Sequence, residues 1–260
     1  MRVAVLYDIH GNLPALEAVL RDARASGVDQ IVVGGDVVPG PMPIETLARL
    51  MRVDVPVQFI HGNGELAVLA EIVATDDPST VTYWGTTSGE PLPEPIRKIM
   101  RWTAQQLRPE DERLLSSWPK TLRMDIVGLG QVLFYHATPR NEVDCFTRLT
   151  PEDRLLPVFE GLDVDLAVCG HTHMQFDRVV GKVRVVNAGS VGMPFQQPAG
   201  AFWLLLERDV QLRHSTYNLT AAADHVRATK YPQADEFARY ILYPPPEADM
   251  LDAFTAASFR

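Results

Sequence analysis

The chain has little cysteine: only Cys145 and Cys169 occur among its 260 residues. Two cysteines this far apart do not make the disulfide framework that is typical of small secreted domains. The first apolar run, residues 3–6, has the length of a buried strand and is too short for the core of a signal peptide. These absences predict a protein of the reducing cytoplasm.

Long apolar runs and clusters of basic residues are also missing. No segment approaches the roughly 18 apolar residues that a membrane span requires, so we expect no membrane partner. The net charge is −9 and the pI is near 5.2, whereas proteins that hold nucleic acid by its phosphates need clustered Lys and Arg. We therefore expect nucleic acid only as a small nucleotide substrate. The sequence leaves a homo-oligomer open.

The first third of the chain alternates predicted strands and helices. Strand-length apolar runs at 2–7, 30–33 and 57–60 are separated by helical spacing of apolar residues at 13–25 and 44–51. Strands separated by helix-length segments imply right-handed crossovers. This part of the sequence therefore predicts a parallel sheet.

The last third predicts short strands that follow one another closely. They lie at 166–169, 176–180, 183–187, 201–207 and 211–217. Because most of them are joined by tight turns, we expect largely antiparallel pairing in this part. One half of the chain is predicted to consist of βαβ units and the other half of β-meanders. This combination predicts an α/β protein with two mixed β-sheets packed face to face and helices outside. This arrangement is a four-layer α/β/β/α sandwich.

The domain organisation follows from the interruption of this pattern. Residues 75–95 are rich in Thr, Ser, Gly and Pro and predict an excursion over the surface. We predict one domain over residues 1–218, with a helical cap insertion at about 75–125 that sets substrate choice. Residues 219–260 are predicted to form a C-terminal helical extension packed on the same domain.

Polar motifs follow the predicted strands at the points where those strands end. The motifs are Asp8-Ile9-His10, Gly35-Asp36, Gly62-Asn63, His136 and Gly170-His171-Thr172-His173. In open α/β sheets, ligands gather beyond the carboxyl ends of the strands. In an extended chain, residues i and i+2 point the same way, so the two members of each Asp-x-His or His-x-His pair are expected to converge.

These motifs contain a set of candidate metal ligands that offer only oxygen or imidazole nitrogen. The set is Asp8, His10, Asp36, Asn63, His136, His171 and His173. Donors of this kind suit divalent Mn, Fe or Zn. Seven ligands exceed what one such ion takes, and they suit two ions about 3.5–4 Å apart with a bridging carboxylate.

In this order, the motifs resemble those of the calcineurin-like metallophosphoesterases, and most of all the small-phosphodiesterase branch of bacteria and archaea. The segments 8–12, 136–140 and 187–194 share the resemblance, which spans roughly residues 2–217. It implies two divalent metal ions, with Mn favoured. One ion would be held by Asp8, His10, Asp36 and His173, and the other by Asp36, Asn63, His136 and His171, with Asp36 as the bridge.

The resemblance also implies an activity. It is the hydrolysis of small phosphate esters, diesters in preference to monoesters, by a hydroxide that lies between the metals and attacks phosphorus in line. Asp36, Asn63 and His136 would be catalytic residues, and Asn12 and Arg140 would contact the substrate phosphate. The alternatives are that Asn12 caps the following helix and that Arg140 pairs with a surface carboxylate.

One position departs from the family pattern. Many members carry a His directly after Gly-Asn, and that His assists the leaving group, whereas this chain has Gly64 followed by Glu65. The departure leaves the metal ligands intact and the acid unassigned. His61 is a candidate for that acid if the chain turns it inward.

Two further functions are consistent with parts of the sequence. A protein-interaction scaffold can keep this fold without catalysis, as the retromer scaffold subunit does, but such a scaffold usually loses ligands and here every position is filled. A dinuclear hydrolase of amides or lactams would show a His-x-His-x-Asp-His cluster, and the chain has none.

Overall fold

The computed structural model of the chain describes residues 1–74 and 92–256. The strands are β1 Val3–Leu6, β2 Gln30–Val33, β3 Val57–Phe59, β4 Thr121–Ile126, β5 Gly130–Tyr135, β6 Leu166–Cys169, β7 Phe176–Val180, β8 Val183–Asn187, β9 Ala201–Leu206 and β10 Val210–Ser215. The helices are α1 Leu13–Ala25, α2 Pro43–Leu50, α3 Asn63–Val73, α4 Glu94–Gln106, α5 Pro109–Ser116, α6 Glu152–Phe159, α7 Leu219–Arg227, α8 Ala234–Leu242 and α9 Glu247–Ala256. None of these helices combines the length and the apolar character that crossing a bilayer requires.

The strands form two mixed sheets. The first has the order β10-β9-β1-β2-β3, in which β1, β2 and β3 are parallel and β9 and β10 are antiparallel to their neighbours. The second has the order β4-β5-β6-β8-β7, in which β5, β6 and β8 are parallel. The predicted pair of mixed sheets is confirmed.

The prediction of largely antiparallel pairing in the last third is wrong for the centre of the second sheet. Helix α6 carries the chain from β5 to a parallel β6, and β7 lies at the edge so that β8 also runs parallel to β6. The sequence did not indicate α6 because the helix is only 8 residues long and contains Pro157, which weakens any helical signal.

The apolar side chains divide into layers. Val5, Val32, Phe134 and Val168 belong to a cluster that lies between the two sheets. A second cluster packs α1 and α2 on the outer face of the first sheet, and a third packs α6 on the outer face of the second. Because each sheet buries both faces, the order helix, sheet, sheet, helix follows directly.

A buried tyrosine joins the sheets next to the predicted site. Tyr7 follows β1, and its hydroxyl lies 3.1 Å from the carbonyl oxygen of Tyr135 and 3.0 Å from that of Val168, at the ends of strands in the second sheet. Asp8 is the next residue. The carboxyl ends of the parallel strands of both sheets therefore meet at Asp8.

The C-terminal helices share a cluster with α4. Val226 of α7 and Phe237 of α8 pack with Ile99 of α4 and with Met42, which precedes α2. The residues 75–91 of the predicted cap lie outside the described residues. The described part, residues 92–125, contains α4, α5 and most of β4, which is an edge strand of the second sheet. The domain boundary at residue 218 stays a prediction.

Candidate metal centre

The candidate ligands all lie at the carboxyl ends of parallel strands. Asp8 follows β1 and Asp36 follows β2, while Asn63 comes after β3 as the first residue of α3. In the second sheet, His136 follows β5 directly, and His171 and His173 follow β6. The topology thus brings residues from five strands and two sheets to one place, as the strand-end argument predicted.

Five of these residues have left-handed backbone conformations. The φ angles are 54° at Asp8, 47° at His10, 53° at Asp36, 66° at His171 and 59° at His173, and no other non-glycine residue in the described ranges has a positive φ. Such a conformation costs roughly 1–2 kcal/mol per residue. The i and i+2 side chains therefore converge through left-handed turns, and the prediction of an extended chain was the wrong reason for their convergence.

The side chains of the first predicted metal site lie within contact distance of one another. Asp8 Oδ1 is 3.4 Å from His173 Nε2, and His10 Nε2 is 3.1 Å from His173 Nε2. Asp36 Oδ2 lies 3.8 Å from His10 Nε2. Ligand atoms of Asp8, His10 and His173 fall within 4.8 Å of one another, a spacing that one cation can span.

A second set of ligand atoms lies beside the first. Asp36 Oδ1 is 3.7 Å and Asp8 Oδ1 is 3.8 Å from His136 Nε2, and Asn63 Oδ1 is 3.0 Å from the same nitrogen. Asp36 therefore presents one oxygen to each set, which is the geometry a bridging carboxylate needs. Asp8 also reaches both sets, an overlap that the sequence did not predict.

Backbone carbonyls orient three of the imidazole rings. His10 Nδ1 lies 3.0 Å from the Pro39 carbonyl oxygen, His136 Nδ1 lies 2.9 Å from that of Gly34, and His173 Nδ1 bonds a carbonyl at 2.7 Å. A carbonyl can only accept, so each Nδ1 carries the hydrogen and each Nε2 turns a lone pair toward the centre. This is the usual environment of metal-binding histidines.

A buried atom without a partner tests whether the residues fit metal ions. Asp8 Oδ1 is buried and has no hydrogen-bond partner within the described chain. Two Nε2 lone pairs, those of His10 and His173, face each other at 3.1 Å. A divalent cation would satisfy the orphaned oxygen and remove the repulsion between the lone pairs, so the donor set fits the two ions that the resemblance implies.

Burial and mutual charge shift the pKa values in the centre. Burial raises the pKa of Asp8, but the nearby His173, His136 and His10 together outweigh it, and the pKa lies well below its usual value. Burial, followed by the nearby His136, lowers the pKa of His171 to about 4. Burial lowers the pKa of His136, but the Asp36 and Asp8 carboxylates and the hydrogen bond to Gly34 outweigh it together with Glu65, and the pKa is raised. Ionised carboxylates beside imidazoles are the state in which such groups bind metal.

Glu65 is a positioning residue that the sequence analysis did not identify. Its buried carboxylate accepts the backbone N–H groups of Asp36 at 2.8 Å, Val37 at 2.7 Å, Val38 at 3.2 Å and Gly62 at 2.8 Å. Glu65 thereby fixes the loop that carries Asp36. Its place three residues after the Gly62 N-cap is the capping-box position, and this spacing was the available signal.

The two residues predicted to bind substrate phosphate, Asn12 and Arg140, have hydrogen-bond partners within the protein. Asn12 is fully buried, accepts the N–H of Ala15 at 3.2 Å and donates to the Gly192 carbonyl at 2.8 Å. It is the N-cap of α1, as in the alternative that the sequence left open, and its substrate contact stays a prediction. The exposed Arg140 donates from its guanidinium to the Pro157 carbonyl, and its substrate contact stays a prediction without structural support.

Gly64, which stands where many family members have a histidine, and the nearby residues have defined contacts in the structure. Gly64 donates its N–H to Asp36 Oδ1 at 2.7 Å, so the backbone at this position orients the Asp36 carboxylate. His61 is half-buried, its Nδ1 has no partner within the described residues, and burial lowers its pKa. His171 directs Nε2 to the Sγ of Cys145 at 3.4 Å, so Cys145 orients that ring.

Comparison with known families identifies the chain. The model of the calcineurin-like phosphoesterase superfamily domain matches residues 1–209, the span that contains every candidate ligand. The chain belongs to this superfamily. Membership supports a hydrolase that binds metal ions, and it confirms the resemblance that the motifs showed.

Relatives of this superfamily member cover nearly its whole length. An uncharacterized protein of Methanocaldococcus jannaschii is 27% identical over 250 residues, which are 89% of this chain and 94% of that protein. A crystal structure of a hypothetical protein from Pyrococcus horikoshii has a TM-score of 0.76 at 20% identity and covers 92% of this chain and 97% of its own. A metallophosphoesterase from Sphaerobacter thermophilus has a TM-score of 0.67 at 23% identity, with coverages of 93% and 98%. These similarities establish the shared fold.

Proposed function

We propose that this chain is a cytoplasmic phosphoesterase with two divalent metal ions that hydrolyses small phosphate esters, diesters in preference to monoesters. The observation that supports this proposal most directly is the left-handed backbone conformation of five candidate ligands. Strained backbone persists only where the surrounding structure determines it, and it clusters at functional sites. Here it occurs in the described chain only at Asp8, His10, Asp36, His171 and His173.

The two ions would be Mn, Fe or Zn, with Mn favoured, because the donors are carboxylate, amide and imidazole groups. Asp8, His10 and His173 would hold one ion, Asn63, His136 and His171 would hold the other, and Asp36 would bridge them. When bound, ions in this arrangement supply a deprotonated water at neutral pH and neutralise charge on the phosphoryl oxygens.

The chain's own residues keep the centre in place during turnover. The carbonyl partners of His10, His136 and His173 hold the three rings in one tautomer. Glu65 holds the loop of Asp36 through four backbone hydrogen bonds, so the carboxylate does not need to reorganise when a phosphate arrives. Such preorganisation of charged groups is a main source of rate enhancement at phosphoryl centres.

The scaffold alternative makes the opposite prediction about the same residues. A scaffold has no use for oriented imidazoles or for a buried carboxylate oxygen without a partner. Both features are present here, since Asp8 Oδ1 is buried and unpaired within the described residues and the rings are fixed by carbonyls. These features favour an enzyme.

The test compares two Asp→Asn variants after loading with Mn. Asp36→Asn keeps an oxygen for the Gly64 N–H but removes the shared negative charge, so hydrolysis of bis(4-nitrophenyl) phosphate is expected to fall at least about 100-fold. Asp54→Asn makes the same change at an exposed residue between α2 and β3 and is expected to keep wild-type activity. Circular dichroism verifies that both variants fold.

Two outcomes would overturn the proposal. Unchanged activity in Asp36→Asn would show that the centre lies elsewhere. Absence of hydrolysis by the wild type with Mn, Fe and Zn, across aryl monoesters and diesters, would favour the scaffold instead.

A further inference from the structure

A cavity of about 300 Å³ opens directly above the metal centre. Its floor contains His10, Asp36 and Asn63, so whatever occupies it lies next to both predicted ions. Its walls come from α4, from α8 and from the loop that connects β8 and β9. The C-terminal helix α8 thus helps to cover the site. The sequence analysis had assigned that role to residues 75–125 alone.

The walls are apolar where they face away from the metals. Ile99 and Met100 of α4 lie opposite Phe237 of α8, and Pro39 closes the side next to Asp36. Ile99 and Phe237 are also members of the cluster that packs α4 against α7 and α8. These walls are therefore fixed by buried contacts and are available as a preformed surface.

A row of aromatic rings leads from a candidate ligand into the cavity. The His173 ring stacks on Phe195 with centroids 4.7 Å apart and planes inclined by 24°, and Phe195 contacts Tyr240 with centroids 6.3 Å apart. Tyr240 lines the cavity and is partly exposed. The Tyr240 plane is inclined by 60° to that of Phe195, and Arg239 lies over the Tyr240 ring. A flat ring that enters between Tyr240 and the α4 wall would make a further tilted aromatic contact with Tyr240.

The charge of the lining limits what can bind. Among the described residues that line the cavity, none is Lys or Arg, and Glu236 adds a negative charge at the α8 wall. Sites that bind several phosphates or a doubly charged phosphate normally supply Arg or Lys forks beyond the metals. The guanidinium of Arg239 lies over the Tyr240 ring, 5.4 Å from its centroid, and is not part of the lining. The lining therefore offers no basic fork for a second phosphate charge, and it suits a substrate with a single negative charge at the metal centre.

We propose that this cavity is a subsite for a planar, uncharged aromatic group esterified to the phosphate of a monoanionic phosphodiester. The proposal rests on the proposed function and adds the class of substrate. One ester group leaves from the metal centre, and the aromatic group that stays on phosphorus lies between Tyr240, Phe237 and the α4 side chains. An aryl ring and a nucleobase share this chemistry, and the substrates below separate them.

The first test uses two substrates with the same leaving group and the same charge. They are 4-nitrophenyl phenyl phosphate and 4-nitrophenyl methyl phosphate, and the measurement is the ratio of their kcat/KM values with Mn-loaded protein. Burial of the phenyl ring is expected to favour the phenyl ester by about 10- to 100-fold in the wild type. The same comparison with the 4-nitrophenyl ester of thymidine 5′-phosphate shows whether a nucleobase is preferred to the phenyl ring.

Matched variants locate the preference. Tyr240→Ala is expected to reduce the phenyl-to-methyl ratio by about 3- to 10-fold, the usual worth of one aromatic contact. Tyr240→Phe is expected to keep the ratio. Tyr243→Ala is the control, because this tyrosine at the end of the same helix is 74% exposed and does not line the cavity.

A charge reversal tests the second half of the proposal. Glu236→Lys is expected to raise kcat/KM for the doubly charged 4-nitrophenyl phosphate relative to the diesters by about 3- to 10-fold. Asp235→Lys makes the same reversal one residue earlier, at an exposed position outside the described lining, and is expected to leave the ratio unchanged.

The outcomes separate failure of this inference from failure of the proposed function. Hydrolysis of the esters with a phenyl-to-methyl ratio that is the same in the wild type and in Tyr240→Ala, together with no preference for the thymidine ester, would overturn the subsite only. No hydrolysis of any ester with Mn, Fe or Zn would overturn the proposed function itself.

Discussion

Gly64 occupies a position where a side chain would collide with the metal-site loop. A β-carbon on Gly64 would lie 2.5 Å from Pro39 Cγ and 2.8 Å from Asp36 Oδ1. The pyrrolidine ring of Pro39 is rigid and cannot rotate away. Even Gly64→Ala therefore requires the loop between β2 and α2 to shift, and an imidazole at this position would meet the same obstruction. With Pro39 in this place, the loop leaves no room for the β-carbon of the histidine that many family members carry.

The expected loss of stability follows from two opposing effects. Overpacking of a well-packed site costs about 1–3 kcal/mol. Replacement of a helical glycine by alanine recovers at most about 1 kcal/mol, and less in the first turn of α3. We therefore expect Gly64→Ala to lower the free energy of unfolding of the metal-free protein by about 1–2 kcal/mol. Because Asp36 Oδ1 accepts the Gly64 N–H at 2.7 Å, the apparent affinity for Mn should also fall, by about 10-fold or more.

A double-mutant cycle measured by urea unfolding isolates the collision. Pro39→Ala removes the Cγ atom, so the double variant Pro39→Ala with Gly64→Ala should be more stable than additivity predicts, by about 1 kcal/mol. Gly161→Ala is the control, because Gly161 has a φ of +79° with no atom within 4 Å of an added β-carbon. That variant acquires backbone strain but should show no coupling to Pro39→Ala. Additivity within about 0.5 kcal/mol in the Gly64 cycle would refute the steric explanation.

Three further predictions concern the metals and the chemistry. Protein purified without chelator and loaded with Mn should contain about two ions per chain by elemental analysis, and a reproducible value near zero would contradict the centre. Glu65→Gln turns an amide NH₂ toward backbone donors, so half-maximal activity should require about 10- to 100-fold more Mn, and an unchanged Mn dependence would exclude its positioning role. Because no histidine follows Asn63, 4-nitrophenyl esters should be cleaved about 10²- to 10⁴-fold faster than alkyl esters. A rate that does not vary with leaving-group pKa in both the wild type and His61→Ala would reveal another acid.

Local patterns of the sequence determined the strands that carry the site. β1, β2 and β6 are short apolar runs that end at polar motifs. Their side chains are buried on both faces of the sheet, which is typical of parallel strands. Because the parallel strands of an α/β sheet open their carboxyl ends to one side, the order of the motifs was sufficient to predict that Asp8, Asp36 and His171 meet. The expectation of divalent Mn, Fe or Zn also came from the sequence, because it depends on donor chemistry alone.

The tertiary structure decided the features that depend on contacts between distant segments. Hydrophobic periodicity reports on neighbours three or four residues apart, so it could not show that Asn12 is enclosed by Gly192, which follows it by 180 residues. For the same reason it could not show that Tyr240 meets Phe195 above the metal centre. The parallel pairing of β5 with β6 was also hidden, because Pro157 lies inside α6 and weakens its helical pattern. Sequence thus indicated the candidate ligands, and long-range contacts decided how these side chains are held and which surfaces border them.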